Sequence, residues 1–319
     1  MQSNTFEELK VLVGQFAPHA KHEQHTASVR EVIRLALDDV SAQLLPLFGP
    51  SRVGKSEVLK KNIQENLPRR TCGRMHTPVL HLSLKPGASA KTLPSDILCA
   101  LNSPVSTRGT TASQLNTLME KQLQLAGTKV LLLDEANHLA DEGKRITLRA
   151  AADWLKCLMD GIGISIVLSG IPRLNALLES NEQLYLRAKP ASYYMPYDAS
   201  QECDYNAFAA LIWEYMSRFQ KVGYPIEIND EEFIADCLMF SGGLVGVVHK
   251  FFINLLHVLK GARPRGITLE DCQRALAMTA TLAPENCKAF GPKAADPVRQ
   301  RLVYARVLKV NAMPEPTLF

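Results

Sequence analysis

The chain of 319 residues is 46% apolar and 21% charged, an ordinary globular composition, with room for one large domain and a smaller second one. Its formal charge of +4 is too small to argue for nucleic acid by itself, so any such claim must rest on local clustering. No run approaches the ~18 apolar residues of a membrane span. Met1 to Glu8 lacks a basic region followed by an apolar one, so no signal peptide is read there. The seven cysteines (72, 99, 157, 203, 237, 272 and 287) include no C-x-x-C pair and are read as reduced thiols of a cytoplasmic protein.

Residues 1 to about 25 are weakly patterned. His19, His22 and His25 lie three apart, which suits either a metal site or solvated loop histidines. Ser28 and Glu31 are spaced as a capping box, and a helix carrying Val32, Ile33, Leu35, Ala36 and Leu37 is expected after it. Leu44-Leu45-Pro46-Leu47-Phe48 then reads as a short buried strand. Behind it stands Gly49-Pro50-Ser51-Arg52-Val53-Gly54-Lys55-Ser56, which meets G-x-x-x-x-G-K-[ST] at every fixed position. A helix from Glu57 completes the strand–loop–helix context of a phosphate-binding loop. Backbone N–H groups at a helix N-terminus favour anions. Lys55 can bridge β- and γ-phosphates, and the Ser56 hydroxyl can hold Mg²⁺. Residues 49–57 are therefore the expected nucleoside-triphosphate-binding stretch.

Residues 78–84 read as a second strand, with a short helix near 95–101 and a polar loop over 102–109. Thr111 and Gln114 cap a helix to about Ala126. Val130-Leu131-Leu132-Leu133-Asp134-Glu135 is an aliphatic strand ending in two carboxylates, about eighty residues after the phosphate loop. Ligands of parallel sheets gather beyond the carboxyl ends of the strands. Asp134 there suits Mg²⁺ coordination, and Glu135 suits a general base acting on water. In a helix near 144–160, Ile146, Ala150, Trp154, Leu155 and Leu158 lie at core spacing. Arg145, Arg149 and Lys156 share another face, open to solvent or to phosphates. Residues 164–170 form a fourth strand, whose Ser169 is either a γ-phosphate sensor or a strand-end hydroxyl. A helix from Pro172 to about Leu186 and a fifth strand over 191–195 follow. Such alternation predicts a parallel sheet covered on both faces.

After Pro196 the pattern is helical: about 201–219, a helix capped by Asn229 and ended by Gly242-Gly243, a third over 244–260, and a fourth opened by Thr268 and Asp271. Beyond Pro284, Arg299, Arg301, Arg306 and Lys309 among scattered prolines suggest an extended or disordered tail.

The phosphate loop, the Asp-Glu strand, the polar-tipped fourth strand and the helical lid together resemble AAA+ ATPases. Within that class the chain is similar to the TniB/TnsC family of regulators of Tn7-like transposition. The likeness runs over roughly residues 25 to 260. It is carried by residues 49–56, Asp134-Glu135-Ala136-Asn137-His138-Leu139, Trp154-Leu155-Lys156, Val167 to Pro172 and Gln183-Leu184-Tyr185-Leu186-Arg187. The resemblance implies an α/β AAA+ P-loop NTPase with a five-stranded parallel sheet and a small α-helical lid. The expected division is 1–27 extension, 28–197 nucleotide-binding domain, 198–283 lid and 284–319 tail. It further implies ATP and Mg²⁺, a homo-oligomer (ring or helical filament) on double-stranded DNA, and transposase subunits with a target-selection protein as partners, in a bacterial cytoplasm without membrane contact. Arg187 matches the usual place of an arginine finger, although a helix C-terminus favours an arginine on dipole grounds alone. Many AAA+ proteins carry an arginine at the start of the third lid helix. Here Gly243-Leu244-Val245-Gly246-Val247-Val248-His249-Lys250 has none, which leaves His249 or Lys250 in that role or weakens lid sensing. For backbone contacts to DNA the candidates are Lys91, Arg108, Lys144, Arg145 and Arg149. A loader or scaffold ATPase with a protein client is the alternative reading. A small-molecule kinase or GTPase fits poorly, since no Asn-Lys-x-Asp signature is present.

Overall fold

In the computed structural model, which describes residues 2–71, 73–103, 105–106, 108–140, 146–291 and 295–314, the elements follow one another as below. The chain opens with α1 (Gln2–Gly14), α2 (Ala20–Leu37), β1 (Leu44–Phe48), α3 (Lys55–Glu65), β2 (Arg69–Thr71), β3 (Arg74–His76) and β4 (Val79–Ser83). It continues through α4 (Thr92–Ala100), α5 (Ala112–Leu125), β5 (Val130–Asp134), α6 (Leu148–Ile162), β6 (Ser165–Gly170), α7 (Asn175–Glu179), α8 (Glu182–Tyr185) and β7 (Ser192–Tyr193). The remainder is helical: α9 (Glu202–Lys221), α10 (Asp230–Ser241), α11 (Val245–Leu259), α12 (Leu269–Ala277) and α13 (Pro297–Val310). By internal contacts the chain forms an α/β unit (23–49 and 55–194) and a helical unit (1–22, 50–54 and 195–319).

The α/β unit is built on a parallel sheet in the order β4-β5-β6-β1-β7. Every residue of β1, β5 and β6 is buried, as expected where helices cover both faces of a parallel sheet. Pro46 survives inside β1 because its side of the strand, where the Leu44 and Phe48 carbonyls accept from Lys189 and Tyr194, faces β7. That strand begins only at Ser192, opposite Leu47, so the missing N–H has no partner to lose. The core beneath joins Leu131, Leu133, Ile166 and Leu168 to Leu155 and Leu158 of α6. Ile146 is buried and Trp154 half-buried, its Nε1 donating to Asn116, but Ala150 faces solvent. The helix expected over 172–186 is broken. A 3-10 turn and α7 end at Ser180, and Asn181 restarts the chain by capping α8 through the Leu184 N–H. The capping box at Thr111 and Gln114 is formed as read.

Ser28, expected at a helix start, lies in the middle of α2, where its hydroxyl donates back to the Gln24 carbonyl. The histidines are likewise not solvated loop residues: His19, His22 and His25 are all buried. In the helical unit His19 Nδ1 is hydrogen-bonded to the Tyr197 hydroxyl at 2.9 Å, and in the α/β unit His25 pairs with Ser192 and stacks on Tyr194.

Within the helical unit α1 is held by Arg218 of α9. This buried guanidinium donates to the Leu12, Gln15 and Phe16 carbonyls and to Glu214, so a cation closes the carboxyl end of α1. Asn229 and Thr268 cap α10 and α12 as expected. The region beyond Pro284 departs from an extended tail, since Asp296 caps α13 with Pro297 in its first turn. Val303, Tyr304, Val307 and Leu308 bury one face of that helix, and Gln300 donates to Ala235 of α10. Gly242 makes the approach possible, because a Cβ there would lie 2.7 Å from Val307 Cγ2. No single helix among the described residues is long and apolar enough to cross a membrane, and the six described cysteines are unbridged.

Two glycines separate strain from propensity. Gly243 has φ +79°, and a Cβ on it would sit 2.0 Å from the Tyr197 carbonyl oxygen. Gly243→Ala should cost roughly 2–4 kcal/mol through the left-handed backbone and the clash. Gly161, inside α6 with open space around it, should gain up to about 1 kcal/mol as alanine. Urea unfolding of single-tryptophan forms reporting Trp213 of α9 and Trp154 of α6 checks both.

Candidate nucleotide-binding site

The phosphate loop leaves the sheet at β1 and enters α3 at Lys55. Its first residue is fixed to the neighbouring strand, Gly49 N–H donating to the Gly170 carbonyl at 3.0 Å. Arg52 (φ 68°) and Gly54 (φ 118°) turn the backbone through left-handed conformations. Lys55 Nζ folds back to donate to the Gly49 carbonyl at 2.8 Å. Burial pushes its pKa down to about 8, against the opposing pull of the Glu135 and Asp134 carboxylates. The structure thus holds a desolvated lysine whose charged form a bound polyphosphate would stabilise.

The register of β5 beside β6, with Leu133 opposite Leu168, brings Asp134 next to Ser169. Asp134 is 5% exposed, and its Oδ1 accepts from the Ser169 hydroxyl at 2.8 Å and from Glu135 N–H at 2.9 Å. Its Oδ2 takes no hydrogen bond from the described residues. That free oxygen and the Ser56 hydroxyl in the first turn of α3 are hard oxygen donors, the kind Mg²⁺ accepts while keeping water and phosphate in its other positions. Glu135 stands at φ 51°, ψ 36°, a conformation that costs a non-glycine residue of order 1–3 kcal/mol and turns its exposed side chain out of the strand direction. Gly170 lets the following turn pack closely, since a Cβ there would meet Leu174 at 2.5 Å and Asn137 at 3.2 Å.

Arg187 lies at the other end of the same sheet. Its neighbour Ala188 bridges Leu44, and Lys189 N–H donates to the Leu44 carbonyl at 2.8 Å, so this segment flanks the amino end of β1. Lys55 and Asp134 belong to the carboxyl ends, about 16 Å away by the rise of a five-residue strand. The Arg187 guanidinium is ion-paired with Asp160 of α6, which also lies 3.8 Å from Lys156. Asp160, Arg187 and Lys189 share a cavity of about 600 Å³ with Ser41 and Gln43. The spacing of Asp160 four residues after Lys156 was its only sequence signal, and the pairing with Arg187 had none.

Of the candidate DNA contacts, Lys91 just before α4 and Arg108 in the loop before α5 are exposed. Arg149 is exposed but engaged, donating to the Ser180 carbonyl and lying 3.4 Å from Asp153. Lys144 and Arg145 lie outside the described residues. The basic face expected on α6 is therefore not a free stripe, because Arg149 and Lys156 both have acidic neighbours one turn on.

In the helical unit the loop residues Ser51 and Arg52 have partners that sequence reading missed. Gly246 N–H donates to the Arg52 carbonyl at 2.8 Å, and an added Cβ on Gly246 would lie 2.6 Å from that oxygen. A glycine in the first turn of α11 was the available clue. Ser51 N–H donates to Asn311 Oδ1 at 3.1 Å, which nothing in the sequence announced. His249 is hydrogen-bonded to Tyr215 within the same unit.

A model of the bacterial TniB protein family matches residues 13–194. No curated protein matches the sequence. Among solved structures the fold is similar to Cdc6p of Pyrobaculum aerophilum (TM-score 0.61, 13% identity, covering 85% of this chain and 70% of that one). It is similar also to the ADP form of Aeropyrum pernix ORC2 (0.58, 13%, 87% and 73%) and to Drosophila ORC bound to DNA (0.53, 14%, 85% and 65%).

The depressed Lys55 pKa gives a signed prediction. Below pH 8 the ammonium is charged before ATP arrives; above it, binding must first recruit a proton. ATP affinity should fall as pH rises through 8, and at pH 8 binding should take up about half a proton per site. Calorimetry in buffers of different ionisation enthalpy measures that uptake, which should vanish in Lys55→Met along with tight binding.

Proposed function

Because the chain belongs to the TniB family and is an AAA+ ATPase, we propose that it is a DNA-binding regulator of transposition that assembles with ATP on target DNA and engages the transposase. The observation that carries the assembly step is the position of Arg187 at the amino end of the strands, remote from its own Lys55 and Asp134. A guanidinium so placed is too far from its own nucleotide site to act there, but can act on that of another copy. Arriving there, it stabilises charge developing on the γ-phosphate.

In this reading the loop backbone and Lys55 bind the phosphates, and Ser169 keeps Asp134 in one rotamer. Ser56 and Asp134 would hold Mg²⁺, which when bound neutralises phosphate charge. Glu135 accepts the proton of the attacking water, its side chain aimed outward by the left-handed backbone. In each free subunit Asp160 keeps Arg187 paired, and Lys156 remains beside that carboxylate when the arginine leaves. Hydrolysis removes the γ-phosphate, and with it the contact that holds neighbouring copies together. DNA association is supported by the exposure of Lys91 and Arg108 and by the likeness to a fold solved on DNA. A bacterial cytoplasmic setting, with transposase and target-selection partners, follows from the same family reading.

Glu135→Gln should bind ATP normally, hydrolyse it at least 10²-fold more slowly, and persist on duplex DNA. Rapid release of that variant would remove Glu135 from the role. Arg187→Ala should keep nucleotide affinity while losing roughly 10³-fold in kcat and the ATP-dependent increase in mass seen by light scattering. Unchanged assembly and turnover would make Arg187 an ordinary surface residue.

A further inference from the structure

The α/β unit carries a feature that the nucleotide chemistry does not use. Between α3 and β4, the strands β2 and β3 form an antiparallel ribbon with Arg69 opposite His76, Arg70 opposite Met75 and Thr71 opposite Arg74. All six residues are exposed. Opposed residues share a face and alternate along a strand, so Arg69, Thr71, Arg74 and His76 lie on one side and Arg70 and Met75 on the other. The ribbon is tied down at its base. His76 lies against Gly127, where a Cβ would be 2.2 Å from its Nε2, and Thr77 N–H donates to the Ala126 carbonyl.

Some arginines of this chain are paired with carboxylates, among them Arg30 with Glu65, Arg34 with Glu31 and Asp38, Arg218 with Glu214 and Arg265 with Asp271, while others such as Arg108 and Arg173 have no such partner among the described residues. Arg69, Arg70 and Arg74 have no ion-pair partner among the described residues, and no Asp or Glu occurs between Leu67 and Thr77. Three guanidiniums on six residues repel one another, so the ribbon gains nothing within the fold from this choice.

We propose that the β2–β3 ribbon is a phosphate-backbone contact for duplex DNA. The planar fork of arginine matches phosphate oxygens in bidentate fashion, and Thr71 adds a hydroxyl donor on the same side. A two-stranded ribbon is narrow enough to lie along a groove, yet strands of three residues reach too little of it to read sequence, which leaves positioning contacts. A protein partner fits worse, because protein interfaces centre on buried aromatic or aliphatic anchors and the ribbon offers Met75 alone. The location agrees. The ribbon sits at the amino end of the edge strand β4, across the sheet from the β1–β7 edge that carries Arg187 and away from the carboxyl ends that carry the nucleotide site. A contact from Arg187 to a neighbour's nucleotide uses neither the ribbon nor its edge. The site is also distinct from Lys91, which follows the carboxyl end of β4.

This inference rests on the DNA-binding part of the proposed function, and its test keeps the two apart. The full chain with ATP is titrated onto a mixed-sequence duplex over a range of salt, as wild type, as R69Q/R70Q/R74Q and as R69K/R70K/R74K. The glutamine variant should bind at least about tenfold more weakly at low salt, with a log–log salt slope shallower by up to about 2.7 per subunit. The lysine variant should keep most of the slope. ATP hydrolysis without DNA should be the same in all three. If the triple glutamine variant is unfolded by circular dichroism, Arg70→Gln and Arg74→Gln carry the test, each lowering the slope by about one. Wild-type affinity and slope in the glutamine variants would overturn the ribbon and leave DNA binding standing. A wild type that ignores duplex DNA but binds RNA or phosphatidylglycerol vesicles through these arginines would overturn both.

Discussion

Everything at the carboxyl edge of the sheet depends on the parallel register of β1, β6 and β5. Gly49 is pinned to Gly170, and Leu133 faces Leu168, so Lys55, Ser169 and Asp134 are delivered to one edge by backbone hydrogen bonds rather than by side-chain choice. Desolvation there sets the electrostatics. Lys55 is buried enough to lower its pKa towards neutrality, although two carboxylates work to raise it. An anion beside it would favour the charged lysine, and in the proposed function a triphosphate would supply that charge.

The same sheet gives the subunit a direction. The candidate nucleotide-binding residues lie at the carboxyl ends of the strands, while Arg187 belongs to the amino end beside Leu44. Under the proposed function, an arginine at the amino end of its own strands would act across a head-to-tail, heterologous interface, one that closes into a ring or continues as a filament. Asp160 gives the waiting arginine a partner at small energetic consequence, since a half-exposed ion pair is worth about 0–1 kcal/mol. Leaving Asp160 is therefore inexpensive, so in the proposed switch the phosphate that Arg187 would reach matters more than the contact it would abandon.

Most of the candidate nucleotide site's placement was legible because its signals are local. G-x-x-x-x-G-K-S fixes a loop within eight residues, and the aliphatic run before Asp134 marks a buried strand whose end must face a ligand. The caps at Thr111, Asn229 and Thr268 were readable for the same reason. What escaped depends on partners distant in sequence. The weakly patterned α1 is held by Arg218, some two hundred residues away, and His25 of α2 is buried against the Tyr194 ring. The tail read beyond Pro284 as extended instead carries α13: the Asp296-Pro297 start signal went unread, and the scattered charges after it hid the Val303-Tyr304-Val307-Leu308 face that packs the helix down. The contacts of Ser51 and Arg52 with Asn311 and Gly246 are backbone-directed and leave almost no trace in residue type.

The central claim is that one copy's Lys55, Asp134 and Glu135 work with another copy's Arg187. Mixing two inactive variants tests it directly. Lys55→Met keeps Arg187 but cannot hold ATP, and Arg187→Ala holds ATP but lacks the guanidinium. A mixture should hydrolyse ATP at a substantial fraction of the wild-type rate, rising with total protein concentration as mixed interfaces form. A mixture no more active than the sum of its inactive parts, at concentrations where the wild type assembles and turns over, would contradict the account.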